Sequence, residues 1–100
     1  RKYTHIYLLD VDSKQLDTLT KGSFDHAQIS WSPDSKQIAF VSNQTADPDR
    51  NGNTDIFVME AKKGGAVSKL TTWQGADESP SWSPDGKYIA YKKSQFATFD

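Results

Sequence analysis

The sequence predicts an all-β fold, and two observations carry the prediction. Asp outnumbers Glu 11 to 2, Ser and Thr together reach 19 of 100 residues and Ala only 8, a balance that favours strands and turns over helix interiors. The second observation is internal repetition. Leu19-Thr20 is followed by Trp31-Ser32-Pro33-Asp34-Ser35-Lys36-Gln37-Ile38-Ala39-Phe40, and Leu70-Thr71 is followed at the same spacing by Trp82-Ser83-Pro84-Asp85-Gly86-Lys87-Tyr88-Ile89-Ala90-Tyr91, an offset of 51 throughout. Upstream, Thr4-His5-Ile6-Tyr7-Leu8-Leu9-Asp10 matches Thr54-Asp55-Ile56-Phe57-Val58-Met59-Glu60 at an offset of 50. The missing residue falls in the following turn, where the second copy carries Gly64-Gly65.

One unit contains four short strand-like runs, placed at about 27–31, 36–42, 54–61 and 67–72, with turn signals between them. The turn between the first two has a mechanism. Pro33 presets its own φ, Asp34 bonds the turn backbone, and the next position takes positive φ, which Gly86 supplies in one copy and Ser35 must supply in the other. Ser at such a position costs about 1 kcal/mol. The second run, Ile38-Ala39-Phe40-Val41, is continuously apolar, as a strand buried on both faces should be. A four-stranded antiparallel sheet covered on both faces and repeated every 50 residues or so is a β-propeller blade.

In phase, the chain is a partial propeller: a half blade over about 4–20, a complete blade over 27–72 and a second half blade over 77–93. Known propellers close with roughly four to eight blades. Two blade-equivalents do not, so the expectation is a piece of a larger propeller or a chain that completes its ring by self-association. Trp31 and Trp82, recurring at one position of the repeat, are expected in the core between blades.

Composition narrows the partners. Twelve basic residues against 13 acidic ones give a net charge of -1, which argues against nucleic acid or an anionic membrane surface as partner. No stretch approaches the roughly 18 apolar residues that span a bilayer. With no cysteine, disulfides, thiolate zinc sites and cysteine nucleophiles are excluded, while the compartment stays open.

The Leu-Thr, Trp-Ser-Pro-Asp-Gly-Lys-x-Ile-Ala-Tyr and Thr-Asp-Ile-Phe-Val-Met patterns resemble the TolB-like propeller repeat, a relative of WD-type repeats, over nearly the whole chain. The run 40–57, followed by Leu70-Thr71 and Gly75-Ala76-Asp77-Glu78-Ser79-Pro80-Ser81-Trp82, is most similar to propellers of the prolyl oligopeptidase family, in its acylaminoacyl-peptidase and dipeptidyl-peptidase branch. That resemblance implies a non-catalytic propeller that gates small peptides toward an α/β-hydrolase domain of the same parent chain. The alternative it leaves open is a TolB-like scaffold that binds proteins with no enzyme attached. Peptidases of this kind carry their triad on the hydrolase domain, beginning at a G-x-S-x-G elbow. No such elbow occurs here, so no catalytic residue is expected in this segment.

Among candidate sites, the loop Asp47-Pro48-Asp49-Arg50-Asn51-Gly52-Asn53-Thr54-Asp55 is the sharpest. Asp47, Asp49, Asn51, Asn53 and Asp55 place oxygens at alternate positions with Gly at the sixth, as the first part of an EF-hand calcium loop does. Val58 stands where the closing Glu belongs. The other reading is an Asx-rich turn in which Asp and Asn cap their own backbone. Calcium is the one candidate cofactor. Arg50 offers a planar fork to a carboxylate or a local Asp. Antiparallel order puts this loop, Gly22-Ser23-Phe24-Asp25 and Thr72-Trp73-Gln74-Gly75-Ala76 on one surface, where Phe24 and Trp73 are the candidate peptide or domain contacts. His26 stands at the start of an innermost strand and aligns with Asp77 in the repeat, which suits a capping or channel-lining role.

Overall fold

The computed structural model describes residues 2–48, 51–72 and 75–94. Eight strands form three antiparallel sheets: β1 (Tyr7–Leu9) with β2 (Leu16–Thr18), a four-stranded sheet in the order β3 (His26–Trp31), β4 (Gln37–Ser42), β5 (Asp55–Glu60) and β6 (Val67–Lys69), and β7 (Ala76–Trp82) with β8 (Ile89–Ser94). One complete blade is therefore flanked by two half blades, each half missing the strands that the other supplies. The radius of gyration, 14.6 Å, exceeds the roughly 13 Å of a compact domain this long. Three sheets lie side by side here and do not wrap one core.

The central strands form because both of their faces are covered. Ile38, Ala39, Phe40 and Val41 in β4, and Ile56, Phe57, Val58 and Met59 in β5, are all buried. Their register runs unbroken from Gln37↔Glu60 to Ser42↔Asp55. On one face Ile38, Phe40, Phe57 and Met59 cluster with Ile6 of the first half blade, and Leu19 packs against them. The Phe40 and Phe57 rings stack with centroids 5.3 Å apart. On the other side β7 packs against β3, β4 and β5.

The turns repeat atom for atom. Ser32 Oγ donates to Asp34 at 2.7 Å and accepts from the Gln37 N–H at 2.9 Å, while Asp34 accepts from the Lys36 N–H at 3.0 Å. Ser83, Asp85, Lys87 and Tyr88 reproduce the set at 2.6, 3.0 and 3.0 Å. Donation by serine first, and by the backbone N–H second, holds both Asp34 and Asp85 below the usual carboxylate range. Ser35 has φ 64° where Gly86 has φ 75°, so the serine does occupy the left-handed region. At the β5–β6 turn a Cβ on Gly65 would collide with the Glu60 carbonyl, and Gly64 has φ 74°. That explains the glycine pair where the two copies differ in length.

Both innermost strands carry a bulge that the sequence pattern does not signal. Registers shift between Ala27 and Ser30 and between Glu78 and Ser81, with Gln28 and Ser79 at φ 52° and 56°. Pro80 lies within the second bulge, on β7, an edge strand among the described residues, where a missing N–H is tolerated. Lys92 and Lys93 stand opposite Glu78 and Asp77 in the β7–β8 register.

The two repeat tryptophans differ in environment. Trp82 is half-buried, and its Nε1–H donates to the Ser30 carbonyl across the blade boundary at 3.1 Å. Trp31 is 46% exposed, and among the described residues no inner strand precedes β3 to cover it. In urea unfolding, Trp82→Ala should cost about 3 kcal/mol, the low end for tryptophan truncation. Trp31→Ala should cost under about 1 kcal/mol, and equal losses would contradict this assignment.

Candidate functional site

Loops at one end of the sheets meet in a groove of about 270 Å³. Phe24 and Asp25 come from the link into β3, Asn43, Pro48 and Asn51 from the β4–β5 loop, and Glu78 from β7. The expected shared surface therefore exists for Phe24 and the described part of the loop. Asp49, Arg50 and Trp73 lie outside the described residues.

Four threonines of the repeat motifs, to which motif reading assigns no role, hold this end together. Within each repeat the threonine after the last strand reaches back to the third. The Ile6 N–H donates to Thr20 Oγ1 at 2.9 Å, and the Ile56 N–H donates to Thr71 Oγ1 at 2.9 Å. Between repeats, the His26 N–H donates to the Thr4 carbonyl at 2.9 Å and to Thr4 Oγ1 at 3.2 Å. Likewise the Asp77 N–H donates to the Thr54 carbonyl at 3.0 Å and to Thr54 Oγ1 at 3.1 Å. The signal was present in the sequence as the recurring Leu-Thr and Thr-x-Ile spacing.

The threonine latches carry different side chains in the two repeats. Thr71 donates to Asp55 Oδ1 at 3.2 Å, and Lys69 Nζ lies 3.1 Å from Asp55 Oδ2. In the first repeat His5 replaces Asp55, and its Nδ1 lies 3.1 Å from Thr20 Oγ1. Thr20 Oγ1 thus meets both the Ile6 N–H and the His5 ring. His26 stacks obliquely on His5 and Phe40, with centroids 5.2 and 5.5 Å away. Its Nδ1 donates to the Thr4 carbonyl at 3.3 Å, leaving Nε2 to accept from Gln44 Nε2 at 3.5 Å. His26 thus caps a strand junction. Asp77, its counterpart, is fully buried, and neither carboxylate oxygen has a hydrogen-bond partner among the described residues.

The two asparagines of the acidic loop, Asn51 and Asn53, are taken up in hydrogen bonds. Asn51 Oδ1 accepts from Asn43 Nδ2 at 2.7 Å and from the Asn53 N–H at 3.1 Å. Asn51 Nδ2 donates to the Asp47 carbonyl at 2.8 Å and to Thr45 Oγ1 at 3.1 Å. Asn53 Oδ1 accepts from the Gly75 N–H at 2.8 Å, which ties the loop to the next blade link. Among the described residues no three His, Asp or Glu side chains are grouped to hold a metal. These contacts are those of an Asx-rich turn.

The chain can now be set beside known proteins. A family model described as the TolB beta propeller domain matches residues 2–97. The chain belongs to that family. This TolB-family chain is 27% identical over 86 residues to the Tol-Pal system protein TolB of Alcanivorax borkumensis, covering 86% of the chain and 18% of that protein. It is 35% identical over 69 residues to the Tol-Pal system protein TolB of Francisella tularensis subsp. mediasiatica, covering 69% of the chain and 14% of that protein. It is also 30% identical over 87 residues to a protein of Sulfurisphaera tokodaii named for a Tricorn-like protease C-terminal subunit, covering 86% of the chain and 9% of that protein. Among solved structures, TolB from Acinetobacter baumannii superposes with a TM-score of 0.61 at 27% identity, covering 87% of the chain and 20% of that structure. The TolB-family chain thus spans a fifth or less of these relatives.

Burial, the largest influence, pushes the His26 pKa below its ordinary value of 6.5, and the nearby His5 adds to the depression against the opposing Thr4 carbonyl. The unfolded chain therefore takes up this proton more readily than the folded one. The stability His26 contributes is present above pH 6.5 and is lost as the pH falls from there toward the depressed folded value. Thermal melts from pH 7.5 to 5.5 should show a falling melting temperature, with a shallower fall in His26→Gln. Parallel curves would remove His26 as the source.

Proposed function

We propose that this chain is a non-catalytic, protein-binding segment of a TolB-type propeller, and that a partner's peptide segment docks in the loop-end groove. The groove itself carries the reading. It joins the Phe24 ring and Pro48 to the amides of Asn43 and Asn51 and the carboxylates of Asp25 and Glu78. Aromatic and amide surface beside acidic groups suits an extended peptide with a basic side chain. The histidine rings are committed to Thr20, Thr4 and Gln44, which leaves them poorly suited to serve as a general base. Relatives named as Tol-Pal system proteins support the scaffold class.

One observation favours a second reading. The relative named for a Tricorn-like protease subunit matches as much of the chain as the TolB proteins do. In that reading the parent also carries a serine hydrolase domain, and the propeller limits access to it. A parent protein that hydrolyses N-acetylalanine p-nitroanilide would favour the peptidase over the scaffold.

Docking is tested by selecting a displayed random-peptide library on the purified chain and measuring the winners against Phe24→Ala and Glu78→Gln. Selected peptides should carry Lys or Arg. Phe24→Ala should weaken them by about tenfold, the effect of a modest aromatic anchor, with the melting temperature held within a few degrees. Unchanged affinity would place docking elsewhere, and a large loss of melting temperature would make Phe24 structural.

A further inference from the structure

Asn51-Gly52 in the β4–β5 loop is the one place in the chain where an asparagine precedes a glycine. The backbone nitrogen of this dipeptide is unspent: among the described residues the Gly52 N–H donates to no acceptor. Gly52 is exposed and Asn51 half-buried, so water reaches both. Asn51 Oδ1 sits between two donors, Asn43 Nδ2 at 2.7 Å and the Asn53 N–H at 3.1 Å. The Gly52 nitrogen can therefore close a five-membered ring onto an amide carbon whose oxygen already accepts two hydrogen bonds. We propose that Asn51 is a modification site, deamidated spontaneously in the folded chain, and that its conversion frees the adjoining stretch of the β4–β5 loop from the groove wall.

The reaction needs only water. Hydroxide removes the Gly52 amide proton, and the nitrogen's electron pair forms a bond to Asn51 Cγ. Negative charge develops on Oδ1, where the donors from Asn43 and Asn53 stabilise it, as paired donors stabilise other tetrahedral oxyanions. Collapse of the oxyanion breaks the Cγ–Nδ2 bond. Nδ2 takes a proton from water and leaves as ammonia, which restores the hydroxide. Water then opens the cyclic imide at either carbonyl and leaves aspartate or its β-linked isomer at position 51.

Comparable positions each lack one of these features. The Thr54 N–H, which follows Asn53, donates to the Gly52 carbonyl at 2.9 Å. Asn43 is followed by Gln44, whose side chain crowds the attacking nitrogen. At Asp85-Gly86 the Gly86 N–H donates to the Ser83 carbonyl at 2.9 Å. There, hydrogen bonds from the Ser83 hydroxyl and the Lys87 N–H hold Asp85 below the usual carboxylate range, and an ionised carboxylate resists attack.

The product cannot rebuild the loop. Asn51 Nδ2 donates to the Asp47 carbonyl at 2.8 Å and to Thr45 Oγ1 at 3.1 Å. The carbonyl has no proton to give back, and the Thr45 hydroxyl gives its own to Asn43 Oδ1 at 2.7 Å. A carboxylate in place of the amide thus sets oxygen against oxygen on this side. On the other side it still accepts from Asn43 and Asn53. Conversion loosens the 45–48 stretch, and with it the Pro48 side of the groove, while β4 and β5 stay paired. It requires no docked peptide.

The test holds the folded chain at mildly alkaline pH and maps its peptides by mass spectrometry over time. The mass shift of NH2 replaced by OH should accumulate at Asn51, as both aspartyl isomers and faster at higher pH, with Asn43 and Asn53 unchanged. Gly52→Ala should suppress it. A Cβ there meets nothing within 4 Å and Gly52 has no positive φ, so this variant keeps the fold and loses only access to the nitrogen. The converted chain, separated by its added negative charge, and Asn51→Asp should both exchange amide hydrogens faster over 45–48, with β4 and β5 unchanged. An Asn51 that stays intact in the folded chain and is converted only in urea would overturn the proposal. So would conversion spread evenly over the three asparagines, or a converted chain whose 45–48 amides exchange as before.

Discussion

A sheet whose two faces are both apolar cannot stand in water by itself, and that constraint shapes this molecule. β4 and β5 bury eight consecutive-run side chains from Ile38 to Val41 and Ile56 to Met59. Each large one stabilises by about 1.5–3 kcal/mol when fully covered, against an ordering cost of about 1–2 kcal/mol per backbone residue. The balance is favourable only with cover on both sides. The first half blade supplies it through Ile6 and Leu19, and the second through β7. Each half blade exposes on its own outer side the surface that the complete blade hides.

The threonine contacts turn this side-by-side packing into a fixed geometry. Thr4 and Thr54 each anchor the first strand of the following sheet, while Thr20 and Thr71 hold the third strand of their own. The loops that emerge between these anchors are thereby set in place, and the groove around Phe24 and Asn51 is assembled from two of them and from β7. A scaffold of this sort can vary its loop residues without disturbing the strands below. The exchange of His5 and His26 for Asp55 and Asp77 at matched positions shows that the buried strand ends vary as well.

Much of the blade was legible because its signals are local. Ser-Pro-Asp followed by Gly or Ser fixes a turn by hydrogen bonds within six residues, and both copies make the same bonds. The unbroken apolar run in β4 announced two-sided burial. What escaped the sequence depends on partners far along the chain. Trp31 and Trp82 share one motif, yet among the described residues only Trp82 has a preceding inner strand to donate to. Gln28 and Ser79 adopt positive φ with no glycine to mark the bulge. In the 47–55 loop, alternate oxygens fit both a cation loop and an Asx turn. Contacts from Asn43, Thr45 and Gly75, residues outside the motif, favour the turn.

The most direct measurement of this account is native-state amide hydrogen exchange, followed strand by strand at the lowest workable protein concentration. Two-sided burial predicts that β4 and β5 exchange only through global unfolding, while β1, β2 and β8 exchange first through local opening. Amides of β1 and β2 that outlast those of β4 and β5 would contradict the claim that the covered blade holds the rest together.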